Sequence, residues 1–280
     1  MAEEKKFVLA GVMGWPVSHS RSPLLHNHWI REHGLNGVYV PLPVDPARLA
    51  DALSGLAALG FAGCNITIPH KVAAMALVDR VDAAARRIGA VNTIVVGADG
   101  SLSGLNTDGF GFIQSLRDAH PAWRADAGPV TVLGAGGAAR AVIVSLAEHG
   151  AREIRLLNRT PARAAELAAE FGAPVTAIAW EHRHDALEDA TLLVNTTSQG
   201  MVGQAPLELS LQRLPPHSLV SDIVYVPLET PLLAAARRRG NPVADGLGML
   251  LNQARPAFEA WFGVMPAITP ALRRAVEATL

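Results

Sequence analysis

Lys71 closes the run Asn65-Ile66-Thr67-Ile68-Pro69-His70-Lys71, and Asp108 sits in Asn106-Thr107-Asp108-Gly109. An ammonium beside a carboxylate can protonate a carbonyl oxygen and grip neighbouring hydroxyls, provided both reach one site. Thr67, and Asn92 in Gly89-Ala90-Val91-Asn92-Thr93, add uncharged donors and acceptors. All four fall at the ends of predicted elements, where ligands sit in α/β sheets. Ser18-His19-Ser20 sets two hydroxyls in a loop before a helix N-terminus, an uncharged receptor for a carboxylate. Each of these has a plainer reading: the serines and Asp108 as helix caps, Lys71 as a solvated cation.

A second constellation runs from Val130 to Thr160. Val130-Thr131-Val132-Leu133 reads as a strand, Gly134-Ala135-Gly136-Gly137-Ala138-Ala139 follows directly, and an apolar-periodic helix is stopped by Gly150. The spacing fits G-x-G-x-x-G/A, in which Gly134 permits a tight turn, Gly136 admits a pyrophosphate to the backbone N–H groups, and Ala139 allows close helix packing. After the next strand, Ile154 to Leu157, the chain reads Asn158-Arg159-Thr160. A carboxylate there would accept from a ribose 2′-OH, whereas a guanidinium forks onto a 2′-phosphate. Arg159, with Arg163 one turn further along a helix starting near Pro161, therefore favours NADP over NAD, although both arginines could also be ordinary solvated cations.

The elements that must hold these residues alternate. Strands are expected at Phe7 to Met13, Val38 to Leu42, Phe61 to Ile68, and as a hairpin at Thr93 to Val96 and Ser101 to Leu105. Helices are expected from Leu24 to His33 with Ser22 as N-cap, from Ala47 to Leu59 behind Asp45-Pro46, at Val72 to Val78 and Val81 to Ile88, and from Asp108 to about Arg117. Further strands follow at Val175 to Ile178, Leu192 to Asn195, Leu219 to Val224 and Pro242 to Ala244. Pro256 should kink or split the last long helix near Arg255. Strand and helix in alternation argue an α/β protein with a mainly parallel sheet.

The 280 residues suffice for two domains, half are hydrophobic, and 24 basic against 25 acidic residues leave a net charge of −1. That balance gives no support to nucleic-acid or membrane binding. Arg237-Arg238-Arg239 before Gly240 reads as helix C-terminal chemistry. Cys64 is the single cysteine, so no intrachain disulfide or sulfur-rich metal site is expected, and His182-x-His184 lacks a defined third ligand. The mixed-charge start, Met1 to Lys6, does not resemble a signal peptide, and a cytoplasmic protein is expected.

Taken together these segments resemble the shikimate dehydrogenase family, enzymes that reduce 3-dehydroshikimate to shikimate with NADPH in chorismate and aromatic amino-acid biosynthesis. The stretches that carry the likeness are Ser18 to Asn27, Asn65 to Lys71, Gly89 to Thr93, Asn106 to Gly109, Gly134 to Arg140, Asn158 to Thr160, Asn195 to Met201, Asp222 to Tyr225 and Gly246 to Ala254. They span nearly the whole chain in family order.

The resemblance implies a Rossmann-type NADP-binding domain at 111–245 and an α/β substrate domain made of 1–110 and 246–280, with the active site in the cleft between them. By the same likeness Ser18 and Ser20 bind the substrate carboxylate, and Thr67, Lys71, Asn92, Asp108 and Gln253 its hydroxyls and ketone. Lys71 and Asp108 are the catalytic pair, with Lys71 as proton donor, directly or through a water, and Tyr225 closes the substrate side. Gly134, Ala135, Gly136, Gly137 and Ala138 hold the diphosphate, and Asn158, Arg159, Thr160 and Arg163 the 2′-phosphate. Thr196, Ser198, Ile223, Gly246 and Met249 line the nicotinamide side. No metal is expected, the partners are small molecules, and a homodimer is compatible with the likeness. An NAD-using quinate/shikimate dehydrogenase and a catalytically silent NADP-sensing protein are the rivals.

Overall fold

In the computed structural model, which describes residues 7–280, β1 (Val8–Gly14) lies between two parallel neighbours. Helix α1 (Ser22–Glu32) leads to β2 (Gly37–Pro43), and α2 (Leu49–Ala58) leads to β3 (Phe61–Ile66). A two-residue strand β4 (Arg80–Val81), helix α3 (Ala83–Ile88) and the hairpin β5 (Thr93–Val96) and β6 (Leu102–Leu105) complete a six-stranded sheet of order β2-β1-β3-β5-β6-β4. Its β3/β5 and β5/β6 pairings are antiparallel and the other three parallel, so this sheet is mixed.

The next strands are all parallel. After α4 (Asp108–Ala119) come β7 (Val130–Leu133), α5 (Gly137–Glu148), β8 (Ile154–Leu157), α6 (Pro161–Phe171), β9 (Val175–Ile178), β10 (Leu192–Asn195), β11 (Leu219–Asp222), α7 (Pro231–Arg238) and β12 (Val243–Ala244). Their order, β12-β11-β10-β7-β8-β9, is that of a doubly wound dinucleotide fold, reversing direction between β7 and β10. Val130, Val132, Leu192 and Val194 face one core while Leu133 and Leu193 face the other, as the two-residue period of a sheet covered on both faces requires.

The long helix α8 (Gly246–Phe262) and α9 (Pro270–Glu277) end the chain. Two compact units result: one runs to Thr107 and resumes at Gln253–Thr279, the other is Asp108–Asn252. In the first, Phe258 and Trp261 of α8 join Trp29 and Tyr39 in an aromatic cluster, Trp261 donating from Nε1 to the Ile94 carbonyl at 2.9 Å and Trp29 to Ala267 at 3.0 Å. His26 is buried inside this cluster, stacked on Tyr39 with 4.1 Å between ring centres, and among the described residues neither ring nitrogen has a hydrogen-bond partner. Burial lowers its pKa from 6.5 to about 3, so it is neutral. Asn27, on the same helix, accepts from the Tyr39 N–H at 3.0 Å and donates to the Tyr39 carbonyl at 2.8 Å on the edge strand β2.

Several sequence expectations need correction. Ser22 does not cap α1: it is the first helical residue, its N–H donates to Ser20 Oγ at 3.3 Å, and Arg21 occupies the flanking position. Val72 to Val78 forms a 3-10 turn at Ala73–Leu77 rather than an α-helix, and Arg80–Val81 pairs with β6 before Asp82 caps α3. Asp45 caps a 3-10 turn, Pro46–Arg48, ahead of α2. Helix α8 runs unsplit through Pro256.

Candidate active site

The site in the first unit is built outwards from Asn92, which is 2% exposed between α3 and β5. Its Oδ1 accepts from the Thr107 N–H at 2.9 Å and from the Thr93 hydroxyl at 2.9 Å, while Nδ2 donates to Thr107 Oγ1 at 3.0 Å and reaches Gln253 Oε1 at 3.4 Å. One strand across, Asn65 donates to the Asn92 carbonyl and to Thr93 Oγ1, and accepts from the Tyr39 hydroxyl at 2.6 Å. These bonds among amides and hydroxyls offset the loss of the buried groups' bonds to water.

Two segments lead from that knot to the residues with reactive groups. The Lys71 carbonyl accepts from the Val91 N–H at 2.8 Å, next to Asn92, and Lys71 itself is half-buried. His70 is fixed beside it by donating from Nε2 to the Val44 carbonyl at 2.8 Å, and its N–H donates to the Thr67 carbonyl. Ser18 is exposed and Ser20 half-buried in the loop before α1. Arg21 braces this loop, donating to the His19 carbonyl at 3.2 Å and to the Thr279 carbonyl at 2.5 Å. Ser18, Ser20, Thr67, Lys71, Asn92 and Gln253 thus all belong to the first unit. Asp108, the chain neighbour of Thr107, is the first residue of α4 in the second unit and is buried. It lies inside the first turn rather than at the capping position, where a helix N-terminus favours a negative charge.

The second unit places the glycine turn at its topological switch point. Gly134 follows β7 with φ +107°, and a Cβ there would meet Thr196 Oγ1 at 2.5 Å, so a glycine is required on both counts. Thr196, just after β10, donates its hydroxyl to the Leu133 carbonyl at 2.7 Å and so fixes that turn. A Cβ on Gly136 or Gly137 would meet nothing within 4 Å, and no side chain caps the start of α5. The start of α5 thus has room beside Gly136 and Gly137 and no capping side chain on its first N–H groups, as a diphosphate site needs.

Beyond β8, Asn158 donates to the Thr160 carbonyl at 2.9 Å. Arg159 and Arg163 are exposed, and among the described residues neither guanidinium has a carboxylate partner. Other arginines of the unit are paired: Arg140 with Glu170, Arg155 with Glu153 and Asp189, and Arg213 with Asp185 and Glu188. The residues present fit a phosphorylated dinucleotide.

Ile223 donates its N–H to the Asn195 carbonyl at 3.1 Å. Gly246 lies so close to that loop that a Cβ would meet the Ile223 carbonyl oxygen at 2.3 Å. Met249 packs against the core of the unit, Tyr225 is half-buried and Ser198 exposed. Ala135 and Ala138 are half-buried on the glycine turn and Thr160 is exposed ahead of α6.

Comparison with known proteins bears on the whole chain. Family models described as the shikimate dehydrogenase substrate binding domain, shikimate / quinate 5-dehydrogenase and the shikimate 5′-dehydrogenase C-terminal domain match residues 12–94, 121–223 and 246–277. The chain belongs to the shikimate dehydrogenase family. It is, as a member, an oxidoreductase. A family member from Paramagnetospirillum magneticum, named shikimate dehydrogenase (NADP(+)), is 57% identical over 95% of this chain and 96% of its own. The structure of shikimate 5-dehydrogenase from Thermus thermophilus in complex with NADP(H) and shikimate superposes with a TM-score of 0.86 at 38% identity, covering 98% of this chain and 100% of that one. Quinate dehydrogenase from Corynebacterium glutamicum in complex with NAD gives 0.90 at 31% identity, over 98% and 100%.

Reading the sequence did not single out Tyr39, Thr107, Asn195 or Thr230, whose contacts hold the site residues in place. A usable signal existed for Asn65 and Asn195: each is an amide within or ending an otherwise apolar strand, where it must find partners. Thr107 and Thr230 carried none beyond their neighbours.

Proposed function

We propose that the chain catalyses the reversible, NADP-dependent reduction of 3-dehydroshikimate to shikimate, the step that serves chorismate and aromatic amino-acid biosynthesis. NADPH, when bound, supplies the hydride. Hydride addition to the ketone builds negative charge on its oxygen, and Lys71 meets that charge with a proton, its own or that of a water it orients. Asp108 holds the ammonium and accepts from the adjacent substrate hydroxyl. Ser18 and Ser20 bind the carboxylate, Thr67, Asn92 and Gln253 bind hydroxyls, and Tyr225 closes the substrate side. In the second unit the Gly134–Ala138 turn holds the diphosphate, and Asn158 to Thr160 with Arg163 hold the 2′-phosphate. Thr196, Ser198, Ile223, Gly246 and Met249 line the nicotinamide side.

The knot at Asn92 carries this reading, because one buried amide organises Thr107 and Gln253 and lies one residue from the Val91–Lys71 bond. The use of NAD with quinate is less well supported, since Arg159 and Arg163 stand without carboxylate partners where a 2′-phosphate would sit. We take the enzyme to be cytoplasmic, its one cysteine, Cys64, being buried and free. No described helix is long and apolar enough to cross a membrane.

Purified protein given shikimate and NADP should develop the NADPH absorbance band. Faster turnover with quinate and NAD would transfer the chain to the rival reading, and no turnover with either pair would remove the enzymatic one.

A further inference from the structure

Asp222 ends β11 and is 1% exposed, yet among the described residues the bonds to its carboxylate come only from neutral donors. Oδ1 accepts from Asn195 Nδ2 at 3.0 Å and from the Val224 N–H at 3.1 Å, and Oδ2 accepts from the Thr230 hydroxyl at 2.7 Å. Those donors reach well beyond it. Asn195, fully buried at the end of β10, also donates to the Gln199 carbonyl at 3.2 Å, and its Oδ1 accepts from the Thr197 N–H at 3.1 Å and the Thr197 hydroxyl at 2.7 Å. Thr230 in turn accepts from the Leu233 N–H and caps α7. The same two loops are joined again where the Val202 N–H donates to the Val226 carbonyl at 2.9 Å. A carboxylate taken out of water without a cation is destabilising, and an apolar side chain would close the strand end without that penalty. What the carboxylate adds is three simultaneous bonds, one to the end of β10 and two along its own loop as far as the start of α7.

We propose that Asp222 is the positioning residue for the nicotinamide side of the cofactor site, its carboxylate fixing the 195–200 and 222–230 loops that carry Thr196, Ser198 and Ile223. The assignment rests on the proposed binding of NADP in the second unit. It acts on one end of the dinucleotide, because Arg159 and Arg163 follow β8, and the glycine turn follows β7, to which Thr196 is tied by its own N–H and hydroxyl bonds to the Leu133 carbonyl without the help of Asp222.

The test is the binding of two ligands by calorimetry to wild-type protein and to Asp222→Ala and Asp222→Asn. One ligand is NADP. The other is 2′-phospho-ADP-ribose, which has the 2′-phosphate and diphosphate but no nicotinamide. Asp222→Ala should weaken NADP by roughly tenfold and leave 2′-phospho-ADP-ribose within about twofold of wild type. Asp222→Asn, which keeps the volume and one acceptor oxygen, should recover most of the loss. Amide hydrogen exchange in ligand-free Asp222→Ala should rise in 196–200 and 223–230 and not in β7 or β8. Equal weakening of both ligands would reduce Asp222 to a structural residue of the unit and overturn the proposal, as would unchanged NADP affinity or unchanged exchange in the two loops. Wild-type protein that binds neither ligand would instead remove the cofactor reading, while the exchange measurement would still decide whether Asp222 orders the loops.

Discussion

The two units solve the same problem, fixing reactive loops at the ends of strands, with different chemistry. The first ties its loops through amides and hydroxyls that stay neutral at every working pH, centred on Asn92 and Asn65. The second ties them through a carboxylate, Asp222, which burial pushes up to about 6 against the bonds from Thr230, Val224 and Asn195. His26 in the first unit and Asp222 in the second are both buried with no charged partner among the described residues, and the two respond to acid in opposite senses. The difference teaches that rigidity and charge are separable: a proton reaching one knot leaves the other with the bonds it had.

The widest separation between the units should come from Lys71→Ala, which is expected to lose about 10²- to 10⁴-fold in turnover while NADP affinity, a property of the second unit, stays at the wild-type value. Steady-state kinetics with direct cofactor titration check this, and a matching loss of NADP affinity would merge the two roles. Next in size is the response to acid. The pKa of His26 is lowered in the fold, so its contribution is complete above about 6.5 and is lost as pH falls toward 3, on the order of 4 kcal/mol at the end of that window.

Asp222 runs the other way. Its raised pKa makes the ionised form costly, so the second unit gains as pH falls from about 6 toward 4, by roughly 3 kcal/mol at most. Hydrogen exchange, corrected for intrinsic rates, should then show protection falling in β1 and β3 and rising in β10 and β11 between pH 7 and pH 4.5. His26→Phe should flatten the first trend alone. Smallest is Arg159→Ala, which removes one charge-assisted grip and should raise KM for NADP by roughly tenfold or somewhat more with KM for NAD unchanged. Equal effects on both cofactors would take Arg159 off the 2′-phosphate.

The same contrast governs how much could be read in advance. In the second unit the strands at Val130–Leu133, Ile154–Leu157, Val175–Ile178 and Leu192–Asn195 follow from local pattern, since each is a short apolar run between turn signals and a parallel sheet buries both faces. In the first, β4 is defined by nothing but its pairing with Ser103 and Gly104 across the sheet, and two residues carry no period. Ala73–Leu77 has the composition of an α-helix. It folds as a tight 3-10 turn instead, bounded by the Lys71–Val91 bond and the strand at Arg80. Side chains with reactive groups were visible because their types are unusual where they stand. Those that only hold others, such as Thr107 and Thr230, were not, because a threonine near a helix start is ordinary until its partner is known.

Asn27 belongs to the Ser18–Asn27 stretch, and its amide, which also donates to the Pro23 carbonyl at 2.7 Å, spans the outer side of β2 at Tyr39. Two positions on, β2 carries Pro41 and then Pro43, neither of which has an N–H to give. An extended peptide approaching this border would find one rung already occupied and two donors missing. The first sheet is thereby closed at its β2 border against recruiting a foreign strand, by one side chain of α1 and two prolines of the strand itself.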